Sequence, residues 1–143
     1  MGQAIAVAVK EFTVTQSITS NSITEVPVKF KPKAVTALQN VQVDPPKGKT
    51  LHPYSVDITV VIKKVDAVVA GKKVKAVRAE VNITLNDQDP YSKKDKAIRT
   101  VSGGGTVPTD NPDKGDIEFA IENALKEAIK TTITGIQDHA KQP

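Results

Sequence analysis

Residues 56–85 read VDITVVIKKVDAVVAGKKVKAVRAEVNITL, and this stretch decides the fold. Val56, Ile58, Val60 and Ile62 alternate with Asp57, Thr59 and Lys63, with one extra apolar residue at Val61. After a turn around Ala70-Gly71-Lys72, Val77, Ala79, Val81, Ile83 and Leu85 alternate with Arg78, Glu80, Asn82 and Thr84. Successive side chains of a strand point to opposite faces, so each run has one apolar face and one polar face. Two such runs joined by a glycine turn predict an antiparallel hairpin, packed on one side and wetted on the other. The alternation slips near Val65 and again between Val74 and Val77, which predicts a bulge or the twist of the hairpin tip.

Towards the C-terminus, a polar loop over 86–96 leads into a further strand over 97–107 that carries Gly103-Gly104-Gly105. The turn Pro108-Thr109-Asp110-Asn111-Pro112 follows, and then a helical pattern over 116–136. Ile117, Ile121, Leu125, Ala128, Ile129, Ile133 and Ile136 recur at spacings of three and four, one stripe of a helix. Asp116 suits its N-cap, Glu122 and Lys126 form a favourable pair one turn apart, and Gly135 supplies a stop. Burying that stripe contributes about 10 kcal/mol before entropy is subtracted. The tail over 137–143 is expected to fray.

Towards the N-terminus the pattern is less regular. Ile5, Val7 and Val9 alternate with Ala4, Ala6 and Ala8, which predicts a strand covered on both sides or carrying a helix on its alanine face. Residues 15–25 read as a loop, and Val26, Val28 and Phe30 around Pro27 read as an edge strand. Ala34, Val35, Leu38 and Val41 have the spacing of a short second helix. Asp44-Pro45-Pro46-Lys47-Gly48-Lys49 reads as a rigid connector. The start lacks a basic region, and Lys10-Glu11 interrupts its apolar run, so it does not read as a secretory signal.

A chain of 143 residues, 38% hydrophobic and 25% charged, fits one folded domain over 1–143 with its core at about 4–136. Without cysteine there is no disulfide framework, thiolate zinc site or cysteine nucleophile, and two histidines cannot make a three-imidazole metal site. No apolar run is long enough to span a membrane. The net charge of +4 is concentrated locally. One cluster is Lys63, Lys64, Lys72, Lys73, Lys75 and Arg78, and a smaller one is Lys93, Lys94, Lys96 and Arg99. These ten are the candidate contacts for a polyanion or a protein partner, and the competing reading is a solvated lysine face that protects a sheet edge. With two arginines and aromatics scattered singly, the composition argues against nucleic acid.

No motif names a reaction. Gly103-Gly104-Gly105-Thr106 lacks the Gly-Lys-Ser/Thr and the immediate helix of a phosphate loop, and reads instead as room for close packing. Asp87, Asp89 and Ser92 lack the spacing of a calcium loop, and Asn82-Ile83-Thr84 is a glycosylation triplet in mid-strand. His52 lies in a connector and His139 in the tail, with no oriented nucleophile beside either. The chain is therefore read as non-catalytic, with no cofactor and no metal.

The order of elements, with Asn123-Ala124-Leu125-Lys126-Glu127-Ala128-Ile129 after a Gly-rich strand, resembles small accessory lipoprotein domains of the Gram-negative cell envelope. The YajG-like, curli-export and penicillin-binding-protein-activator lipoproteins are the kinds meant, and the likeness covers about 55–136. These residues contain no lipid-attachment cysteine. The resemblance implies a non-catalytic module that acts through protein partners, placed in the periplasm or cell envelope if a leader was removed. The expected fold is α+β: an antiparallel sheet with one long C-terminal helix packed on one face and a second short helix. Sheet edges are open to homo-oligomerisation. The alternative function is a basic protein that binds nucleic acid or anionic lipid through the lysine-rich hairpin.

Overall fold

The computed structural model describes residues 2–16, 25–89, 91–92 and 94–143. The chain runs β1 (Gln3–Ile5), β2 (Ala8–Gln16), α1 (Glu25–Leu38), β3 (Val41–Val43), β4 (Tyr54–Val69), β5 (Lys72–Gln88), β6 (Asp95–Pro108) and α2 (Lys114–Ala140). This is an α+β fold. Its main sheet has the order β2-β4-β5-β6, and β1 pairs with β3 in a small sheet beside it.

The expected hairpin is β4–β5, antiparallel without interruption from Tyr54 opposite Asp87 to Val69 opposite Lys72. It closes through Ala70 (φ 51°) and Gly71 (φ 78°), the two positive-φ positions of a turn whose twist matches the flanking strands. No bulge interrupts this pairing. The register shifts lie elsewhere, between Val9 and Glu11 in β2 and between Leu85 and Asn86 in β5. The sheet is mixed rather than wholly antiparallel, because β2 runs parallel to β4.

That parallel pair follows from α1. The segment around Val26, Val28 and Phe30, expected as an edge strand, is helical. Pro27 falls in the first turn, where the missing N–H has no intrahelical partner to lose. Pro32 lies inside the helix, where tertiary packing outweighs its cost. Phe30, Ala34 and Leu38, one helical turn apart, are all fully buried. A strand–helix–strand crossover returns the chain in the same direction, which makes β2 and β4 parallel. The expected second helix therefore begins earlier, and Val41 belongs to β3 instead.

Both helices cover one face of the sheet. Val56, Ile58, Val60 and Ile62 of β4 and Val77, Ala79, Val81, Ile83 and Leu85 of β5 are buried against them. Helix α2 approaches β6 so closely that a Cβ on Gly103 would lie 2.2 Å from the Ala124 carbonyl oxygen, and one on Gly105 would lie 2.2 Å from that of Ala120. Glycine there lets the alanine stripe of α2 rest directly on the strand. Gly104 serves the other face, where the Arg78 guanidinium lies over it.

The helix starts earlier and ends later than its pattern suggests. Asp113 is the N-cap, and its carboxylate accepts from Asp116 N (2.8 Å) while that of Asp116 accepts from Asp113 N (3.1 Å). Gly135 is no stop. It is buried within the helix, with Arg99 packed over it, and the segment expected to fray is helical through the fully buried Ala140. At the other end of the chain the strand breaks into β1 and β2, and Ala4, Ala6 and Ala8 face outward, so the alanine face is not covered.

Candidate functional site

The ten basic residues do not form one surface. Lys63 and Arg78 sit on the sheet face away from the helices and flank Glu80. Lys63 Nζ and Arg78 Nε each lie 3.1 Å from Glu80 Oε1, and Arg78 Nη1 donates to Thr106 Oγ1 at 2.9 Å. The hydrogen bonds from Lys63 and Arg78 hold the Glu80 carboxyl below its usual range. Lys72, Lys73 and Lys75 lie on the hairpin end, where Lys73 is 4.0 Å from Asp66. Lys64 points to the helix side of the sheet. Lys94 and Lys96 are exposed at the far end, and Arg99 crosses the end of α2. Lys93 lies outside the described residues. Lys96 pairs with Asp87, which is about 40 Å along β5 from Lys75 at 3.3 Å per residue.

The hairpin end is an arm. Among the described residues, β2 pairs no further along β4 than Ile62, and β6 no further along β5 than Ala76. From Val65 opposite Ala76 the two strands run on alone to Val69 opposite Lys72, about 13 Å. Within the sheet the apolar positions are the even ones of β4 and the odd ones of β5, facing the helices. In the arm the phase inverts: Val65, Ala67 and Val69 of β4 pair with Ala76, Val74 and Lys72 of β5, on the opposite face. Asp66, Lys73 and Lys75 point to the helix side. Val68 and Val69 at the tip are 73% and 46% exposed. The slip in the sequence pattern is this exchange of faces.

A second site draws both histidines together, although neither sequence context suggests it. Tyr54 Oη lies 2.7 Å from His139 Nδ1, and the two rings meet edge-on at 5.6 Å between centroids. His52 Nδ1 is 3.2 Å from Asp87 Oδ1, an approach without hydrogen-bond alignment. Lys49 Nζ donates to the His139 carbonyl oxygen at 3.1 Å and to that of Gln142. Burial, then the Asp87 charge, pushes the Tyr54 phenol up. Burial dominates in lowering His139, Asp87 opposes it, and Lys49, Arg99 and His52 add to the lowering. A protonated phenol and a neutral imidazole make a clamp on the end of α2. Among the described residues no group of three or more His, Asp or Glu could hold a metal ion.

The third feature is a groove of about 510 Å³ between α1 and α2. Phe30, Ala37, Leu125, Ile129 and Ile133 line it, with Lys33, Lys126, Lys130 and Glu122 around its mouth. Lys29 and Glu118 join the two helices at 2.6 Å.

The remaining sequence motifs take structural places. Asp89 Oδ1 accepts from the backbone N–H of Tyr91 (2.8 Å) and of Ser92 (3.4 Å), closing a turn and lowering the Asp89 carboxyl. Asn82 faces away from the helices, its Oδ1 accepting from Ser102 Oγ at 2.7 Å.

No family model matches the chain, and no curated protein does. Among solved structures, it is similar to a crystal structure of a minor lipoprotein from Acinetobacter baumannii, at 8% identity and a TM-score of 0.44, over 89% of this chain and 93% of that one. No helix among the described residues is long and apolar enough to cross a membrane.

Proposed function

We propose that this chain is a non-catalytic binding or assembly-accessory module of the bacterial cell envelope that acts through protein–protein contacts made by the hairpin arm. The observation that carries the reading is the exchange of apolar faces along one ribbon. Val65, Ala67, Val69 and Val74 turn away from the chain's own helices, towards a side where no helix lies among the described residues. A two-stranded ribbon alone in water is marginal, and covering its valines against a partner stabilises it. Beyond Lys75, whose carbonyl accepts from Thr109 N, no described strand pairs with the edges of the arm, which suits the addition of a partner's strand. The envelope setting is the part that the sequence resemblance implies.

The polyanion alternative asks the lysines to act together. Lys63 and Arg78 are engaged by Glu80, and Lys94, Lys96 and Arg99 lie at the other end of the sheet, which leaves Lys64, Lys72, Lys73 and Lys75. Two double variants separate the readings in envelope extracts of the native host. Val69→Glu with Val74→Glu is expected to release the chain from its complex on size exclusion, and Lys73→Glu with Lys75→Glu to leave the complex intact. A complex indifferent to the valine pair contradicts the contact reading. Loss on the lysine pair, with affinity falling steeply with salt, selects the alternative.

A further inference from the structure

We infer that two copies of this chain join through the outer edge of β6, antiparallel about a two-fold axis at Gly103, so that their four-stranded sheets become one. This rests on that edge and not on the arm.

Edge strands are ordinarily defended by charge, proline or a bulge, because their unpaired N–H and C=O groups recruit other strands. The opposite edge, β2, is defended: its register shifts between Val9 and Glu11, with Lys10 and Glu11 at the shift. β6 is undefended from Arg99 to Val107. Its ladder with β5 is unbroken over that run, and Arg99 at its start is the one charge in it. The hydroxyls that could turn onto the edge are engaged by β5 instead. Thr100 meets Thr84 at 3.2 Å, Ser102 meets Asn82 at 2.7 Å and Thr106 meets Arg78 at 2.9 Å. Among the described residues no strand pairs with the outer side of β6.

The limits of the run select the occupant and the register. Leu85 pairs with Arg99 and Asn86 with Ala97, which leaves Ile98 as an extra residue at one end. Pro108, with no N–H to give, stands at the other. Gly103 is the midpoint between Arg99 and Val107, so a second copy turned about it matches the run over its whole length, about 26 Å. Thr100 then lies opposite the second copy's Thr106 on the wetted face, a favourable cross-strand pair. Past the ladder, Thr109 N bonds the Lys75 carbonyl at 2.9 Å and carries the strand's line on to Asp110. The two-fold brings Asp110 near the second copy's Lys96. Both are exposed, and neither is in an ion pair among the described residues.

The helix layer continues across the junction. Gly105 lies against Ala120, Gly103 against Ala124 and Arg99 against Gly135, so α2 runs antiparallel to β6, and it packs on β5 as well. Strands are about 4.8 Å apart and packed helices about 8–10 Å, so one helix spans two strands. The two α2 helices of the joined sheet therefore stand side by side at ordinary packing distance.

Sedimentation of the full chain is expected to show a dimer that dissociates on dilution. Two double variants share Thr106→Lys and differ at position 100. Thr100→Lys with Thr106→Lys sets like charges opposite each other twice and is expected to weaken the dimer about 10-fold or more. Thr100→Glu with Thr106→Lys sets opposite charges at the same places and is expected to preserve it. The two positions are about 20 Å apart within one chain, so neither effect arises in a monomer. The chain has no cysteine, so Thr100→Cys with Thr106→Cys is expected to give a disulfide-linked dimer that neither single cysteine variant gives. If a charge variant fails to fold, the cysteine pair decides the matter. A chain still monomeric at about 100 μM overturns the inference. So does any other ranking of the two charge variants when both are folded, or a cysteine pair that does not link. A dimer dissolved by Val69→Glu with Val74→Glu also overturns it, and assigns self-association to the arm.

Discussion

Gly103 and Ala124 are in backbone contact: a Cβ on the strand residue would stand 2.2 Å from the helix carbonyl oxygen. Neither partner of that contact can swing aside, since one is a ladder residue and the other lies inside a hydrogen-bonded helix. Gly103→Ala should therefore lift α2 and destabilise the protein by about 3 kcal/mol or more, read as a lowered midpoint in urea unfolding. Gly104→Ala meets only the tip of the Arg78 side chain, and the entropy lost by the unfolded chain offsets part of that strain. It should change stability by less than about 1 kcal/mol.

Leu125 is a buried residue of α2, so Leu125→Asp places an unpaired charge in the core. The expected result is loss of the cooperative thermal transition, measured by circular dichroism. An unchanged melting temperature would remove the helix-on-sheet packing from the account.

The clamp at the end of α2 gives a pH dependence with a definite sign. Burial lowers the His139 pKa in the folded chain, so the unfolded chain takes up the proton first as pH falls. The stability contribution is fully present above the unfolded value of about 6.5. It declines as pH falls from there through the lowered folded value. His139→Gln should flatten this part of the stability profile, followed by urea unfolding between pH 8 and pH 5.

Ala70 holds φ 51° in the arm's turn, a conformation that costs a residue with a Cβ about 1 kcal/mol. Ala70→Asn should relieve it, because asparagine tolerates that region. The arm projects beyond the core, so the effect belongs to local opening. Slower hydrogen exchange at the amides of 65–75 is expected, with little change in the global midpoint.

The hairpin and α2 were legible because each has one wetted and one buried side, and that contrast writes a period into the sequence. Phe30, Ala34 and Leu38 carried a helical spacing too, but Pro27 and Pro32 obscured it, and the parallel pairing of β2 was lost with it. The glycine run of β6 reads as room for close packing, and Ala120 and Ala124 supply the other side of it at Gly105 and Gly103. The slip at Val65 was visible, but period alone cannot separate an inserted residue from an exchange of faces; the unbroken register does. The meeting of Tyr54 with His139 had no local signal at all, being made by chain 85 residues apart. The groove likewise depends on α1, whose position no pattern within α2 encodes.

The arm as a contact surface is most directly tested by a photo-crosslinking amino acid placed at Val69 in the native host, with Thr131 on the exposed side of α2 as the control. A single discrete protein adduct from position 69, absent from position 131 and lost with Val74→Glu, is the predicted result. No adduct at position 69, or the same adducts from both positions, would contradict the account.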